Sequence, residues 1–272
     1  MKAARAVPVL MYHHVSPNPA LVTVSPQAFD AQMRWLAEQG WTTLTAAQFA
    51  GFLAGERVPE RSVLVTFDDG YLDNWVYAHP VLQRYAQRAT LFTITGWLGD
   101  GEVRPAAGSG QSLPDTPNHK ACKRLVEQGQ ADGVMMRWSE VEAARDAGSF
   151  EFHSHTHSHA RWDKLCSSRE EKRERLAADL AESRTTLRQR LGEVSDHLCW
   201  PQGYFDADYL DVAQEAGFRH LYTTVKDVNT PATPATHIHR IVTKERDGAW
   251  LGSRVRWFSR PLLGHWYAKV SR

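Results

Sequence analysis

Cysteine is scarce: Cys122, Cys166 and Cys199 are the only three in 272 residues, so they cannot all pair. None belongs to a Cys-x-x-Cys unit, which argues against a disulfide scaffold and for a reducing compartment. His119 with Cys122 and His197 with Cys199 have metal-like spacings, but isolated pairs of this kind are set aside. No apolar run approaches the ~18 residues of a membrane span. The segment from Met1 to Ala6 is basic but leads at once into Val7-Pro8-Val9-Leu10-Met11-Tyr12. That stretch reads as a first core strand, so a signal peptide could not be cut away without losing it, and a cytoplasmic address is expected. Charge of one sign is also missing: 32 basic and 31 acidic side chains leave a net charge of +1. General attraction to nucleic acid is therefore not expected. The Gly-x-Ser-x-Gly elbow of many serine hydrolases is absent as well.

What is present is a soluble composition, 42% hydrophobic and 23% charged, together with 10 Trp and 13 His. Strand and helix signals alternate through the chain. Ser25-Pro26 pairs a capping hydroxyl with proline at the first helical position, and Gly40 ends that helix. Thr45 caps the next one. Ser62 to Phe67 is a short apolar run of the sort buried on both faces. Further strands are expected at Ala89–Ile94, Ser149–His153, His197–Trp200, Arg219–Thr224 and Ile238–Val242. Ser139-x-x-Glu142 reads as a capping box, and a long charged helix runs from about Ser168 to Gly192. Alternation of this kind implies parallel βαβ units in a single α/β domain over 1–272, closed as a barrel. A doubly wound open sheet is the alternative. The Gly- and Pro-rich stretch 99–133 reads as an insertion over one barrel end, and 248–272 as a basic, aromatic tail.

Two clusters carry chemistry. Thr66-Phe67-Asp68-Asp69-Gly70 places two carboxylates at the end of a buried strand, on the face where β/α barrels build active sites. One carboxylate can bind a cation, and this lets its neighbour stay ionised. The bland alternative is turn chemistry at a helix start. The run His153-Ser154-His155-Thr156-His157-Ser158-His159 holds four histidines in seven residues. A His-x-x-x-His spacing puts two imidazoles on one side of a helical turn, and it fits His153 with His157 or His155 with His159. Two histidines plus one carboxylate leave a coordination position for water, as in catalytic zinc sites.

The Thr-Phe-Asp-Asp-Gly motif, followed after a strand by Ser154-His155-Thr156-His157-Ser158-His159, resembles the first two signatures of the polysaccharide deacetylase (NodB-homology) family of carbohydrate esterases. The resemblance runs from Val9 to about Val242. It implies an irregular (β/α)7 barrel, a divalent ion (zinc above others) on Asp69, His155 and His159, and Asp68 as general base. It also selects the second histidine pair over the first. The family's third signature, usually Arg-x-Pro-Tyr, reads Trp200-Pro201-Gln202-Gly203-Tyr204 here, so the arginine that orients the base is missing. Arg240 is the expected substitute, and Gln202, Gly203 and Tyr204 are expected to face the substrate and its oxyanion. The usual C-terminal Leu-x-His is not evident, although His237 and His239 lie nearby. A subgroup instead opens with Tyr-His-x-Val, matched by Tyr12-His13-His14-Val15, which makes His13, as imidazolium, the expected general acid.

The implied reaction is metal-dependent removal of an N-acetyl or N-formyl group from an amino sugar in a glycan or lipid-linked precursor. An amidohydrolase acting on a non-sugar amide is one rival, although its His-x-His motif normally closes the first barrel strand. A non-catalytic metal-dependent carbohydrate binder is another, against which the intact Asp68 counts. In the tail, Arg254, Arg256, Arg260, Lys269 and Arg272 alternate with Trp250, Trp257, Phe258, Leu262, Leu263, Trp266 and Tyr267. Peripheral contact with a membrane surface through 248–272 is the expectation. Packing against the barrel is its alternative.

Overall fold

The computed structural model describes residues 2–192 and 195–270; Met1 of the basic start and Arg272 of the tail lie outside them. Seven parallel strands form one curled sheet: β1 (Val9–Tyr12), β2 (Ser62–Asp69), β3 (Ala89–Thr93), β4 (Phe150–Ser154), β5 (His197–Cys199), β6 (His220–Tyr222) and β7 (Ile241–Val242). Their order is β7-β1-β2-β3-β4-β5-β6, with Thr42–Thr43 added beside β2. Ile241 and Val242 pair with Leu10 and Met11, while Ile238 bridges to Tyr222 in β6. The last few residues of the path thus touch both edges and draw the sheet into a ring. This is the expected irregular seven-stranded barrel.

Helices surround the sheet: α1 (Pro26–Glu38), α2 (Ala46–Leu53), α3 (His79–Arg84), α4 (His119–Glu127), α5 (Trp138–Asp146), α6 (Trp162–Leu165), α7 (Arg169–Leu191) and α8 (Ala207–Glu215). The caps behave as their sequences require. Ser25 accepts from the Ala28 amide, Thr45 and Gln48 form a capping box, and Gly192 ends α7 in the left-handed region at φ 77°. The reading of Ser139 and Glu142 as a capping box is corrected. The helix opens at Trp138, where Glu140 accepts from the Arg137 amide at 2.9 Å, and the Ser139 hydroxyl donates to the Gly101 carbonyl instead. Glu140 is fully buried, and it also holds Arg104 of the 99–133 segment through Nε and Nη2, both at 2.7 Å.

The tail forms two helices, α9 (Gly248–Phe258) and α10 (Pro261–Val270), broken at Pro261 as the sequence requires. Gly248 and Gly252 let α9 lie directly on α1: a Cβ at Gly252 would come within 2.2 Å of the Trp35 ring. Leu251, Val255 and Phe258 are buried. The tail's first half therefore packs on the barrel, whereas Leu262 and Trp266 of α10 are 85% and 56% exposed. Among the described residues no helix is long and apolar enough to cross a membrane.

Candidate active site

Neighbouring residues of a strand point to opposite faces, so Asp68 and Asp69 would not normally share a site. Asp69 breaks that alternation with φ 76°, and Gly70 follows at φ 90°, where a Cβ would strike Thr93 Oγ1 at 2.7 Å. Both carboxylates consequently line one cleft of about 270 Å³ at the C-terminal ends of the strands. His155 follows β4 directly. The next residues are not the helical turn that the i, i+4 spacing suggested, because Thr156 and His159 both adopt positive φ, 66° and 59°. Strained non-glycine backbone of this kind persists only where surrounding contacts over-determine it. Here the clamp is buried Asp179 of α7. One of its oxygens accepts from the His157 and Ser158 amides at 3.0 and 2.8 Å, and the other from Ser158 Oγ and Trp162 Nε1 at 3.0 and 2.9 Å.

The loop aims His159 back at Asp69. Asp69 Oδ1 lies 3.3 Å from His155 Nε2 and 3.7 Å from His159 Nε2. Donor atoms of all three residues fall within 4.8 Å of one another. His155 Nδ1 is 2.8 Å from the Cys199 carbonyl, which can only accept, so that nitrogen carries the proton and Nε2 presents its lone pair. Two imidazole nitrogens and one carboxylate, oriented in this way, fit a zinc-like divalent ion. Burial pushes the Asp69 carboxyl up, but the His155 hydrogen bond and the His13 and His159 imidazoles hold it far below the usual carboxylate range. His153 and His157 stay outside this triad: the first contacts Ser195 Oγ and the second Thr95 Oγ1.

Asp68 has a different environment. Arg240, fully buried, holds it bidentately, Nη1 to Oδ1 at 2.7 Å and Nη2 to Oδ2 at 2.9 Å. Arg240 itself is fixed by Nε donating to the Thr223 carbonyl at 2.8 Å. Burial raises the Asp68 pKa, but the guanidinium together with His13 and His155 outweighs it and leaves the carboxyl below its ordinary value. His13 Nε2 stands 3.7 Å from Asp68 Oδ2 at the edge of the same cleft. His237 and His239 do not line it; His237 packs on Phe205, and the His239 amide donates to Asn229 Oδ1.

Gln202 and Gly203 reach the cleft, Gln202 with φ 56°. Tyr204 does not. Its ring lies under the Arg161 guanidinium at 3.9 Å and edge-on to Tyr209, because its hydroxyl is drawn to Asp206. The Gly203 and Tyr204 amides are used within the turn, donating to Trp200 and Pro201 carbonyls. Any oxyanion contact from this turn therefore falls to the Gln202 N–H.

Several lining groups were not expected from the sequence, among them His119, set aside with Cys122. His119 and Lys123, one turn apart on α4, belong to the 99–133 segment, and Trp97 stands beside His159. His119 Nδ1 meets His14 Nε2 at 3.0 Å, and His14 Nδ1 meets Asp73 at 2.6 Å. Asn74 donates to the His13 carbonyl at 2.7 Å, so this pair of residues after the Asp-Asp-Gly turn fixes the strand end that carries His13. Asp73 and Asn74 open a short π-helical stretch, Asn74–Ala78, a feature often found at functional sites.

The polysaccharide deacetylase family model matches residues 55–221, well over half of the chain and inclusive of both motifs. The chain belongs to this family. As a polysaccharide deacetylase family member it is 27% identical over 251 residues to YxkH of Bacillus subtilis (strain 168), named as a polysaccharide deacetylase, covering 92% of this chain and 76% of that one. It is 25% identical over 227 residues to a poly-beta-1,6-N-acetyl-D-glucosamine N-deacetylase of Staphylococcus aureus (strain MRSA252), covering 82% and 68%. Among solved structures, the Streptococcus pyogenes deacetylase PplD superposes with a TM-score of 0.72 at 20% identity, covering 93% of this chain and 98% of that one. IcaB from Ammonifex degensii gives 0.72 at 22% identity, covering 95% and 99%. These likenesses agree with the barrel described above.

Proposed function

We propose that this chain hydrolyses the N-acetyl group of an amino sugar within a glycan or lipid-linked precursor, with N-formyl as the alternative acyl group. The observation that carries the reading is the division of the Asp68–Asp69 pair, one carboxylate facing two imidazoles and the other facing an arginine and His13. Asp69, His155 and His159 would hold the divalent ion, Zn2+ by donor chemistry. When bound, the ion would polarise the acyl carbonyl and acidify a water. Asp68, kept ionised by Arg240, accepts the proton of the attacking water. The Gln202 amide supports the oxygen on which charge develops. His13 then protonates the departing amine nitrogen, which leaves poorly without a proton. Burial lowers the His13 pKa despite Asp68 and Asp69, so it stands neutral at rest rather than as the expected imidazolium. The proton gathered by Asp68 is the one it can take up and pass on.

The named substrate of the Staphylococcus aureus relative supports N-acetylglucosamine polymers as the first panel to test. Acetate release should occur from N-acetylglucosamine oligomers, stop with chelator and return with Zn2+. Equal turnover of simple non-sugar acetamides would favour the amidohydrolase reading. Sugar binding without any turnover would favour a non-catalytic binder.

A second reading, carried by α10, places the protein peripherally on the inner, cytoplasmic face of a membrane. Leu262, Leu263 and Trp266 are exposed beside a groove lined by Arg5, Arg61, Arg256 and Arg260, a pairing of apolar and basic groups suited to anionic headgroups. Co-sedimentation with anionic but not neutral vesicles, lost on Trp266→Ala with Arg260→Ala, is the expected result. Equal recovery with both vesicle types removes the idea.

A further inference from the structure

Barrel interiors are normally filled by layers of bulky aliphatic side chains. On one side of this barrel three neighbouring strands carry histidine instead. His197 pairs in register with His220, and Ser154 with Leu198, so His153, His197 and His220 stand side by side on β4, β5 and β6. Ring centroids are 4.8 Å apart for His153 and His197, and 4.5 Å for His197 and His220. His153 and His197 line a second cavity, of about 430 Å³, where β3 and β4 begin, together with Asp196; it shares no lining residue with the cleft of Asp68 and Asp69. His153 Nε2 and His220 Nδ1 are buried and make no hydrogen bond, although each faces a carboxylate oxygen, Glu151 Oε2 at 3.9 Å and Asp196 Oδ2 at 3.3 Å. Buried orphan polar atoms call for an explanation, and an ion is one of the ordinary ones.

Asp196 supplies the carboxylate. Its Oδ1 is 3.4 Å from His197 Nε2 and its Oδ2 is 3.3 Å from His220 Nδ1. These separations match the 3.3 and 3.7 Å of the Asp69 cluster, and the three donor atoms again lie within 4.8 Å of one another. His197 Nδ1 is engaged by the Tyr222 hydroxyl at 3.1 Å, which leaves Nε2 as its ligating nitrogen. The carboxylates of Glu151 and Asp196 balance the guanidiniums of Arg88 and Arg145 around the cavity, and Arg145 is tied to Asp146.

We propose that Asp196, His197 and His220 form a second divalent-cation site of zinc type, separate from the Asp69 cluster, with the His153 ring packed beside it. The His197 and His220 rings lie stacked, 17° from parallel, so binding needs the His220 ring, whose side chain is 17% exposed, to turn about its Cβ–Cγ bond, a soft torsion. The site braces β5 two residues before Cys199, whose carbonyl orients His155. Its role is structural, since none of its three residues lines the substrate cleft.

The test is metal counting on the full chain, stripped with chelator, reloaded with Zn2+ and desalted. Wild type should retain two equivalents, Asp69→Ala one, His220→Gln one, and the double variant none. In the Asp69→Ala background Zn2+ should raise the melting temperature, and adding His220→Gln should abolish that rise. Asp196→Asn serves as an independent second variant, with circular dichroism confirming that each protein is folded. An Asp69→Ala protein that holds no zinc, or a His220→Gln protein that still holds two equivalents, overturns the site. The first result would leave the catalytic cluster untouched, so the two readings fail separately.

Discussion

Arg240→Met removes the counter-ion of Asp68 while roughly keeping side-chain volume. The two groups meet at 2.7 and 2.9 Å with the arginine fully buried. Two unit charges about 4 Å apart at an effective dielectric near 20 interact by about 4 kcal/mol, and at 1.36 kcal/mol per unit this is about 3 pKa units. Without the arginine, burial acts on Asp68 unopposed except by His13 and His155. Its titration should climb from below the ordinary carboxylate value towards neutrality. With Zn2+ held in excess, the acid limb of the pH–rate profile for acetate release should move up by about 3 units, and part of the lost rate should return above pH 8. Stability should fall by about 3–5 kcal/mol, because a buried charge is left unpaired. For a domain of this size that means a melting temperature lower by roughly 6–15 °C. Asp68→Asn combined with Arg240→Met should regain much of the stability and none of the activity. An unmoved acid limb together with a lowered melting temperature would refute the catalytic part of the argument and leave Arg240 as a structural ion pair only.

Asp68→Asn alone should abolish turnover yet leave the zinc bound at Asp69, His155 and His159 nearly unchanged; loss of that metal would show the two aspartates assigned the wrong way round. His13→Ala should slow acetate release by about 10²–10⁴-fold as the loss of a general acid, and a wild-type rate would rule it out of the chemistry. Asp179→Ala frees four donors of the His157–Trp162 loop. It should weaken zinc affinity by about 10–100-fold in a chelator-competition assay, and unchanged affinity would show that the loop holds its shape without that clamp. Burial pushes the His79 pKa down to about 4 from 6.5, so the unfolded chain binds more protons in that interval. This contribution to stability is present above pH 6.5 and declines as pH falls towards 4. The urea midpoint should follow that direction, with a shallower slope in His79→Gln, and an equal slope in the variant would discount the residue.

The barrel was legible because its signals are local. The apolar run Ser62–Phe67, the caps Ser25 and Thr45, and the terminator Gly192 each act within a few residues. Asp68, Asp69, His155 and His159 were legible as chemistry, but not the backbone that unites them. Periodicity cannot announce a left-handed Asp69 or His159, since neither is a residue type that requires that conformation. The helical-turn reading of the histidine pair failed for the same reason. Asp179 and the His14–Asp73 pair were invisible because their partners lie 17 to 59 positions away. His119 was discarded with Cys122 as an accidental spacing, and only the folding of 99–133 over the strand ends brings it to the cleft. Arg240 is suggested in the sequence only by its position near the last strand; in the structure its guanidinium meets Asp68.

Ring closure has a kinetic meaning as well as an architectural one. The residues that join the two sheet edges, Ile238 on one side and Ile241 and Val242 on the other, flank Arg240. A growing polypeptide displays Asp68 about 170 positions before its guanidinium partner exists. Until the final stave is seated, Asp68 lacks the guanidinium that is the strongest of the groups keeping it ionised. Deacetylase competence should therefore appear in a single step with the last strand, and nascent chains ending before Arg240 should be silent even if they already hold zinc. Assembly and ignition are in this sense one event, keyed by a single side chain.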